Sequence, residues 1–210
     1  MKTTVPLLPL TGATPDFDVS TARDDRGGGD VQMPDSQLTK KALAQAMKEA
    51  MAELPLEKIR INDIVKRCSM NRQSFYYHFK DKYDLVNWIF YTEFFGEIRE
   101  HLDNPDWELL KRICEYFYKN RDFYRNALQV TGQNSFYDYF VEVLHSIFIT
   151  QFNEIFEEDP HRDFYATFLA DALRAAICRW LLQGNKTPPE EFVKLMKDSC
   201  EKIAAIVLRL

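Results

Sequence analysis

The stretch "NRQSFYYHFKDKYDL", Asn71 to Leu85, places Phe75, Tyr76, Tyr77, His78 and Phe79 in consecutive positions and then turns into charge at Lys80, Asp81 and Lys82. Three chemistries compete for it: apolar core, a metal or catalytic site around His78, or a surface that grips a polyanion. Phe75 and Phe79 stand one helical turn apart and share a face, which suits burial. Core packing leaves Tyr76, Tyr77 and His78 without a purpose, and Arg72, Gln73 and Ser74 fall on the other sides of the same helix. A metal site lacks partners, because the positions four residues to either side of His78 are Ser74 and Lys82. Hydroxyl, imidazole and ammonium groups together are suitable donors to phosphate oxygens.

The flanking segments are helical in period. In "SQLTKKALAQAMKEAMAEL" the residues Leu43, Ala46, Met47, Ala50, Met51 and Leu54 recur at three- and four-residue steps, which predicts one buried helix face. Pro55 stops that helix. A short segment with Ile61, Ile64, Val65 and Cys68 follows, with Asp63 near its start and Lys66 and Arg67 near its end, as the helix dipole prefers. "SMN" breaks it before the helix from Arg72 to Phe79. Two short helices across a short turn, behind a longer first helix, have the spacing of a helix-turn-helix. Asp81 is then the expected cap of a longer helix with Leu85, Trp88, Ile89, Thr92 and Phe95 inward.

Five more helices follow from the same patterning. Trp107, Leu110, Ile113, Cys114 and Phe117 form one stripe, and Phe123 to Leu128 a short helix closed by "TGQN", where Gly132 is free to take positive φ. Phe136, Phe140, Val143, Leu144, Ile147, Phe148 and Ile155 line a long helix. Tyr165, Phe168, Leu169, Ala172, Leu173, Ala176, Ile177, Trp180 and Leu181 make an unusually wide apolar face ended by Gly184. "TPPEE" opens the last helix, with Thr187 as the expected cap and Phe192, Leu195, Met196, Cys200, Ile203, Ile206 and Val207 as its stripe. No strand or hairpin signal appears. The predicted class is all-α.

The chain has 210 residues, 46% hydrophobic and 28% charged, enough to bury a core without staples. Cys68, Cys114, Cys178 and Cys200 lie too far apart for a metal knuckle or redox pair and are expected to be small buried hydrophobes in a reducing compartment. No apolar run is long enough to span a membrane and no signal peptide frames the N-terminus, so the expected location is the cytoplasm. Residues 1–35, with "RGGGD" and scattered Asp, Thr and Pro, read as a disordered extension, and Met33 is a plausible native start. No paired carboxylates, nucleophile beside a base, or glycine-rich phosphate loop supports an enzyme, and no cofactor is expected.

Charge is divided unevenly. Ser36 to Leu85 holds ten Lys and Arg against six Asp and Glu, a net +4, whereas the whole chain carries −5, which leaves −9 elsewhere. A basic head on an acidic body suggests that the head alone faces a polyanion.

Together, "INDIVKRCSMNRQSFYYHFKDKYDLV" resembles the DNA-binding signature of the tetracycline-repressor (TetR) family, in Ile64, Tyr76, His78, Phe79 and Lys82. "RWLLQGNKTPPEEFV" looks like the junction of that family's last two helices. "DKYDLVNWIF" with "KNRDFYRNALQVTGQNSF" looks like the subgroup typified by the dihydroxyacetone-kinase operon regulator. The resemblance implies a three-helix DNA-binding domain over 36–83 and a helical ligand-binding and dimerisation domain over 84–210. It implies a homodimer on double-stranded DNA with a pseudo-palindromic operator. It makes Tyr76, His78 and Lys82 phosphate contacts, lets Ser74 reach a phosphate or base edge, and puts Thr39 and Lys40 on the backbone. Arg72 and Gln73, at the end that enters the major groove, become the candidate base readers, and Tyr77 shares the surface. Arg to guanine and Gln to adenine are the pairings that geometry favours. Two positions depart from the family pattern: Ser69 replaces a common Gly in the turn, and Arg60 replaces the Thr or Ser that caps the second helix. The body would bind a small-molecule inducer among aromatics such as Trp107, Phe117, Tyr118, Tyr124, Phe136, Tyr137 and Phe140. The subgroup implies instead a sensor protein as partner, and those aromatics would then be packing and interface.

Overall fold

The computed structural model describes residues 35–98, 107–130, 136–155, 158–184 and 186–207. The expected disordered extension, the Gly132 turn and the side chains of Ile155 and Val207 lie outside the described residues or side chains. Helices α1 (Asp35–Glu53), α2 (Ile61–Arg67) and α3 (Arg72–His78) form a head, and α4 (Lys82–Ile98) leads out of it. The body contains α5 (Trp107–Lys119), α6 (Arg121–Leu128), α7 (Phe136–Ile155), α8 (Arg162–Leu182) and α9 (Pro189–Val207). A single 3-10 turn, Leu56–Lys58, links α1 to α2. Among the described residues there is no strand, as the patterning predicted.

The head forms its own core. Leu43, Ala46, Met47, Ala50 and Met51 are buried along α1, and Ile64, Val65, Phe75 and Phe79 meet them from α2 and α3. Leu54 departs from its predicted burial: α1 stops at Glu53 and Leu54 lies exposed beyond it. The Glu53 carboxylate forks onto the Arg67 guanidinium (3.0 and 2.5 Å), pinning the end of α1 to the end of α2. Asp81 caps α4 as predicted, its Oδ1 accepting from the N–H groups of Tyr83 (2.8 Å) and Asp84 (2.9 Å). Of its predicted inner face, Leu85, Trp88 and Ile89 are buried and Phe95 partly so, but Thr92 is exposed. Val86, Phe90, Phe94 and Ile98 are buried as well. With head and body both packed against it, α4 is covered on more faces than an amphipathic stripe foretells.

The body is packed around Phe90. Its ring meets those of Phe94 (4.8 Å between centroids), Phe136 (5.4 Å), Tyr124 (5.9 Å), Phe140 (5.9 Å), Phe117 (6.0 Å) and Tyr139 (6.0 Å). Most of these contacts are edge-to-face, the arrangement that ring quadrupoles favour. The buried hydroxyls of Tyr116 and Tyr124 satisfy each other at 2.5 Å, and burial pushes both phenols above their ordinary pKa.

The corner between α8 and α9 is closed by Gly184 at φ +87°, by the Trp180 indole donating to the Thr187 carbonyl (2.9 Å) and by Trp180 stacking on Phe192 (4.7 Å). Helix α9 begins at Pro189 with the Phe192 N–H bonded to the Pro188 carbonyl. The cap position therefore falls on Pro188 rather than on Thr187. Cys114 and Cys178 are buried as expected, but Cys68 is only half-buried and Cys200 is exposed. Helix α9 turns much of its stripe outward.

Candidate nucleic-acid interface

The turn that presents the recognition helix closes with backbone bonds. Met70 N–H donates to the Val65 carbonyl (2.8 Å) and Ser69 N–H to that of Lys66 (3.4 Å), with Ser69 at φ 55°. This is a Schellman closure in which a serine occupies the left-handed position usually given to glycine. Asn71 then caps α3: its Oδ1 accepts from Ser74 N–H (2.9 Å) and from the Ser74 hydroxyl (3.2 Å). The sequence reading took Asn71 only as part of a break, although Asn before a helix is itself a capping signal.

With Phe75 and Phe79 fully or nearly buried, α3 has one orientation open to it. Arg72, Gln73, Tyr76 and Tyr77 are exposed, and Tyr77 is 82% accessible. The Arg72 guanidinium lies over the Tyr76 ring, 5.7 Å from its centroid, and donates to its hydroxyl at 3.2 Å. His78 is half-buried, its ring edge-on to Tyr77 at 4.9 Å. Burial and, secondarily, the charge of Lys40 push the His78 pKa below its ordinary value. Lys40 on α1 and His78 on α3 therefore lie near each other. Thr39 is half-buried one residue before Lys40. Ser74 is half-buried, with its hydroxyl proton committed to Asn71, which leaves it acceptor capacity but no donor toward a phosphate. Arg60 is exposed, and its backbone N–H, not its side chain, is bonded to the Asp63 carboxylate (2.9 Å).

Lys82 is engaged within the chain. Its ammonium donates to the carbonyls of Leu56 (2.8 Å), Glu57 (2.9 Å) and Ile59 (2.9 Å), which uses all three of its protons. A phosphate would have to displace a carbonyl to reach it. Partial burial lowers its pKa, but three acceptors at ordinary bonding distance stabilise the charged form. Lys82 holds the linker between α1 and α2 against the start of α4. No sequence pattern identifies a lysine bonded across more than twenty residues to bare carbonyls.

Among the described residues no cluster of three or more His, Cys, Asp and Glu is placed to hold a metal ion. An exposed cationic and aromatic helix face, presented by a capped helix-turn-helix, is suited to a nucleic-acid backbone and its base edges. Comparison with known proteins agrees. Residues 42–89 match "Bacterial regulatory proteins, tetR family", and residues 106–202 match "Transcriptional regulator C-terminal region" of the same family.

The chain belongs to the tetR family. It is a DNA-binding transcriptional regulator and not an enzyme. It is 27% identical over 161 residues to the HTH-type dhaKLM operon transcriptional activator DhaS of Lactococcus lactis subsp. lactis (strain IL1403), covering 74% of this chain and 86% of that one. The solved structure of a dihydroxyacetone kinase operon activator DhaS shares its fold, with a TM-score of 0.59 at 22% identity, over 83% of this chain and 98% of the other. A TetR transcriptional regulator from Streptococcus agalactiae 2603V gives the same TM-score at 24% identity, over 76% of this chain and 92% of its own. In this tetR-family chain no described helix is long and apolar enough to cross a membrane.

Proposed function

We propose that the protein acts in the cytoplasm as a homodimer on a pseudo-palindromic operator, with one α3 in the major groove of each half-site. The observation that carries this reading is the outward face of α3, where Arg72, Gln73, Tyr76 and Tyr77 are exposed on a helix whose orientation Phe75 and Phe79 dictate. Arg72 and Gln73 read bases, while Tyr76, Tyr77, His78, Lys40 and Thr39 meet phosphates. A second observation supports the dimer. Phe164, Phe168, Ala172 and Ala175 of α8 and Leu195 and Ile203 of α9 are exposed, and Phe168 and Ile203 are 63% and 62% accessible. An apolar face of this kind is what an isologous four-helix contact between two copies would cover.

The regulated genes follow from the likeness to the dhaKLM operon activator. On that likeness the operon encodes a dihydroxyacetone kinase and the protein activates it. The effector reaches the body through a sensor protein rather than by entering the core, a reading supported by the aromatic rings that pack against Phe90 from six directions. A small-molecule inducer seated beside Phe90 would need space that these rings occupy. The deciding experiment is genome-wide capture of DNA by the purified protein, repeated with Gln73→Ala. Enrichment of one operator with paired half-sites, upstream of a ketose-kinase operon, is expected. The variant should lose about 1–3 kcal/mol and relax preference at one base pair per half-site. Capture without sequence preference would overturn the operator, and an unchanged preference in the variant would remove Gln73 as a reader.

A further inference from the structure

Helix α1 ends in an unusual way. The carbonyl of Met51 would ordinarily accept from the N–H four residues on, but that residue is Pro55, which has none. The carbonyl of Leu54 is also left over, because the Lys58 N–H turns back to the Pro55 carbonyl (2.9 Å). The Leu56 N–H, at the start of the 3-10 turn, needs an acceptor. One side chain answers all three groups: Asn126 of α6 donates through Nδ2 to Met51 O and Leu54 O (2.9 Å each) and accepts from Leu56 N–H through Oδ1 (2.8 Å). Both Nδ2 protons and the Oδ1 oxygen are thus engaged by backbone of the head, from a residue on the body. Lys82 holds the same segment from its other end, at Leu56, Glu57 and Ile59. The linker 51–59 is fastened to the body by Asn126 and to the residues just after the recognition helix by Lys82.

We infer that Asn126 is a positioning residue for DNA recognition, which sets where the head stands on the body and hence the distance between the two recognition helices of a dimer. The inference rests on the proposed dimeric operator reading. Three hydrogen bonds to main chain fix an orientation more tightly than apolar contact, because they are directional and their loss leaves the partly buried groups at Met51 and Leu56 unpaired. Neighbouring fastenings differ in kind. The Lys48–Glu93 ion pair joins α1 to α4 through two flexible, partly exposed side chains, and Glu53–Arg67 lies wholly within the head. Asn126 alone among these ties the body behind α4 to the head. A shift of α6 would carry the linker with it, so the same contact is a route by which an event on the body moves α3.

The energetic role differs from that of a DNA contact. Once one head is bound, the second binds as an intramolecular event, with an effective concentration set by how well its position matches the other half-site. A loosened head keeps its own contacts but loses that match. Asn126→Ala should therefore bind a duplex with a single half-site as wild type does, while its affinity for the paired site falls about tenfold. Its tolerance for added or removed base pairs between half-sites should widen. Asn126→Asp keeps the acceptor for Leu56 N–H but sets one carboxylate oxygen against two carbonyls, and should behave the same way.

The test measures both variants on single and paired half-sites over a spacing series, together with hydrogen exchange of the DNA-free protein. Faster exchange at the Leu56 amide with a split between paired and single sites supports the inference. Equal loss on both duplexes, an unchanged spacing profile, or an unchanged Leu56 amide overturns it. If neither variant retains wild-type helicity, Asn126 serves folding alone and the inference falls. A wild-type protein with no preference for paired sites would instead bring down the dimeric operator reading, and this inference with it, while Leu56 exchange would still report whether the clamp exists.

Discussion

Ser69 stands at φ 55° in the turn before the recognition helix, where a Cβ meets backbone and glycine does not. The predicted consequence is that Ser69→Gly stabilises the protein by about 1 kcal/mol, the left-handed strain outweighing the added freedom of the unfolded chain. Denaturant unfolding measures it, and a destabilised variant would mean that the serine hydroxyl contributes more than the strain costs. Lys82 and His78 separate two ways of serving DNA. Lys82→Met should weaken binding without flattening its salt dependence, because its ammonium serves three carbonyls. His78→Ala should flatten that dependence by roughly one unit of log–log slope when its phosphate contact is lost at a pH where it is charged. Burial, then the charge of Lys40, holds the His78 pKa below its ordinary value. A phosphate beside it would raise that value on binding, so wild-type affinity should climb as pH falls toward the free pKa and lose that climb in His78→Ala. Titrations at several pH and salt values check both, and a flattened slope in Lys82→Met would restore the phosphate role.

At the scale of elements, α3 has only seven residues, Arg72–His78, too few to be stable alone. It persists because Phe75 and Phe79 are buried beneath it and Asn71 closes its first turn. Asn71→Ala removes the side-chain acceptor that caps that end and should cost about 1 kcal/mol. Fraying of the first turn displaces Arg72 and Gln73, so operator affinity should fall with specificity relaxed at the same base pair that Gln73 reads. Thermal unfolding and an operator titration test it together, and full affinity in a destabilised variant would show that DNA binding itself orders the turn. Helix α4 teaches a different lesson. Its buried set runs through Leu85, Val86, Trp88, Ile89, Phe90, Phe94 and Ile98, a pattern no single stripe describes, because it packs against head and body at once.

At the scale of the whole molecule, α8 and α9 leave apolar side chains uncovered among the described residues, and the proposed second copy would cover them. Ala175 and Ile203 are exposed, so Ala175→Glu and Ile203→Glu do not disturb the packing of one chain. Across a two-fold axis each charge would be desolvated twice. Both variants are expected to sediment as monomers at micromolar concentration and to lose paired-site affinity while keeping wild-type helicity. Dimers that survive both substitutions would place the interface on another surface.

Local order along the chain was legible because it is written in local physics. Period, proline and capping residues marked the helices, and the five positions from Phe75 to Phe79 marked a helix with one face inward and another toward a polyanion. Errors fell where a residue's surroundings come from elsewhere. Leu54 and Thr92 fit their stripes and are exposed, and Cys200 lies on a helix face that is exposed among the described residues. The sequence by itself determined the helical class, the order of the elements and the exposed chemistry of the recognition helix, since each depends on neighbours within a few residues. Only the tertiary structure decided that Lys82 holds a linker and that Asn126 completes the end of a helix seventy-odd residues away, at Leu54 and Met51. Both roles arise from backbone groups left unpaired at α1, and which side chain reaches such groups is decided by how helices pack, a matter on which local patterning is silent.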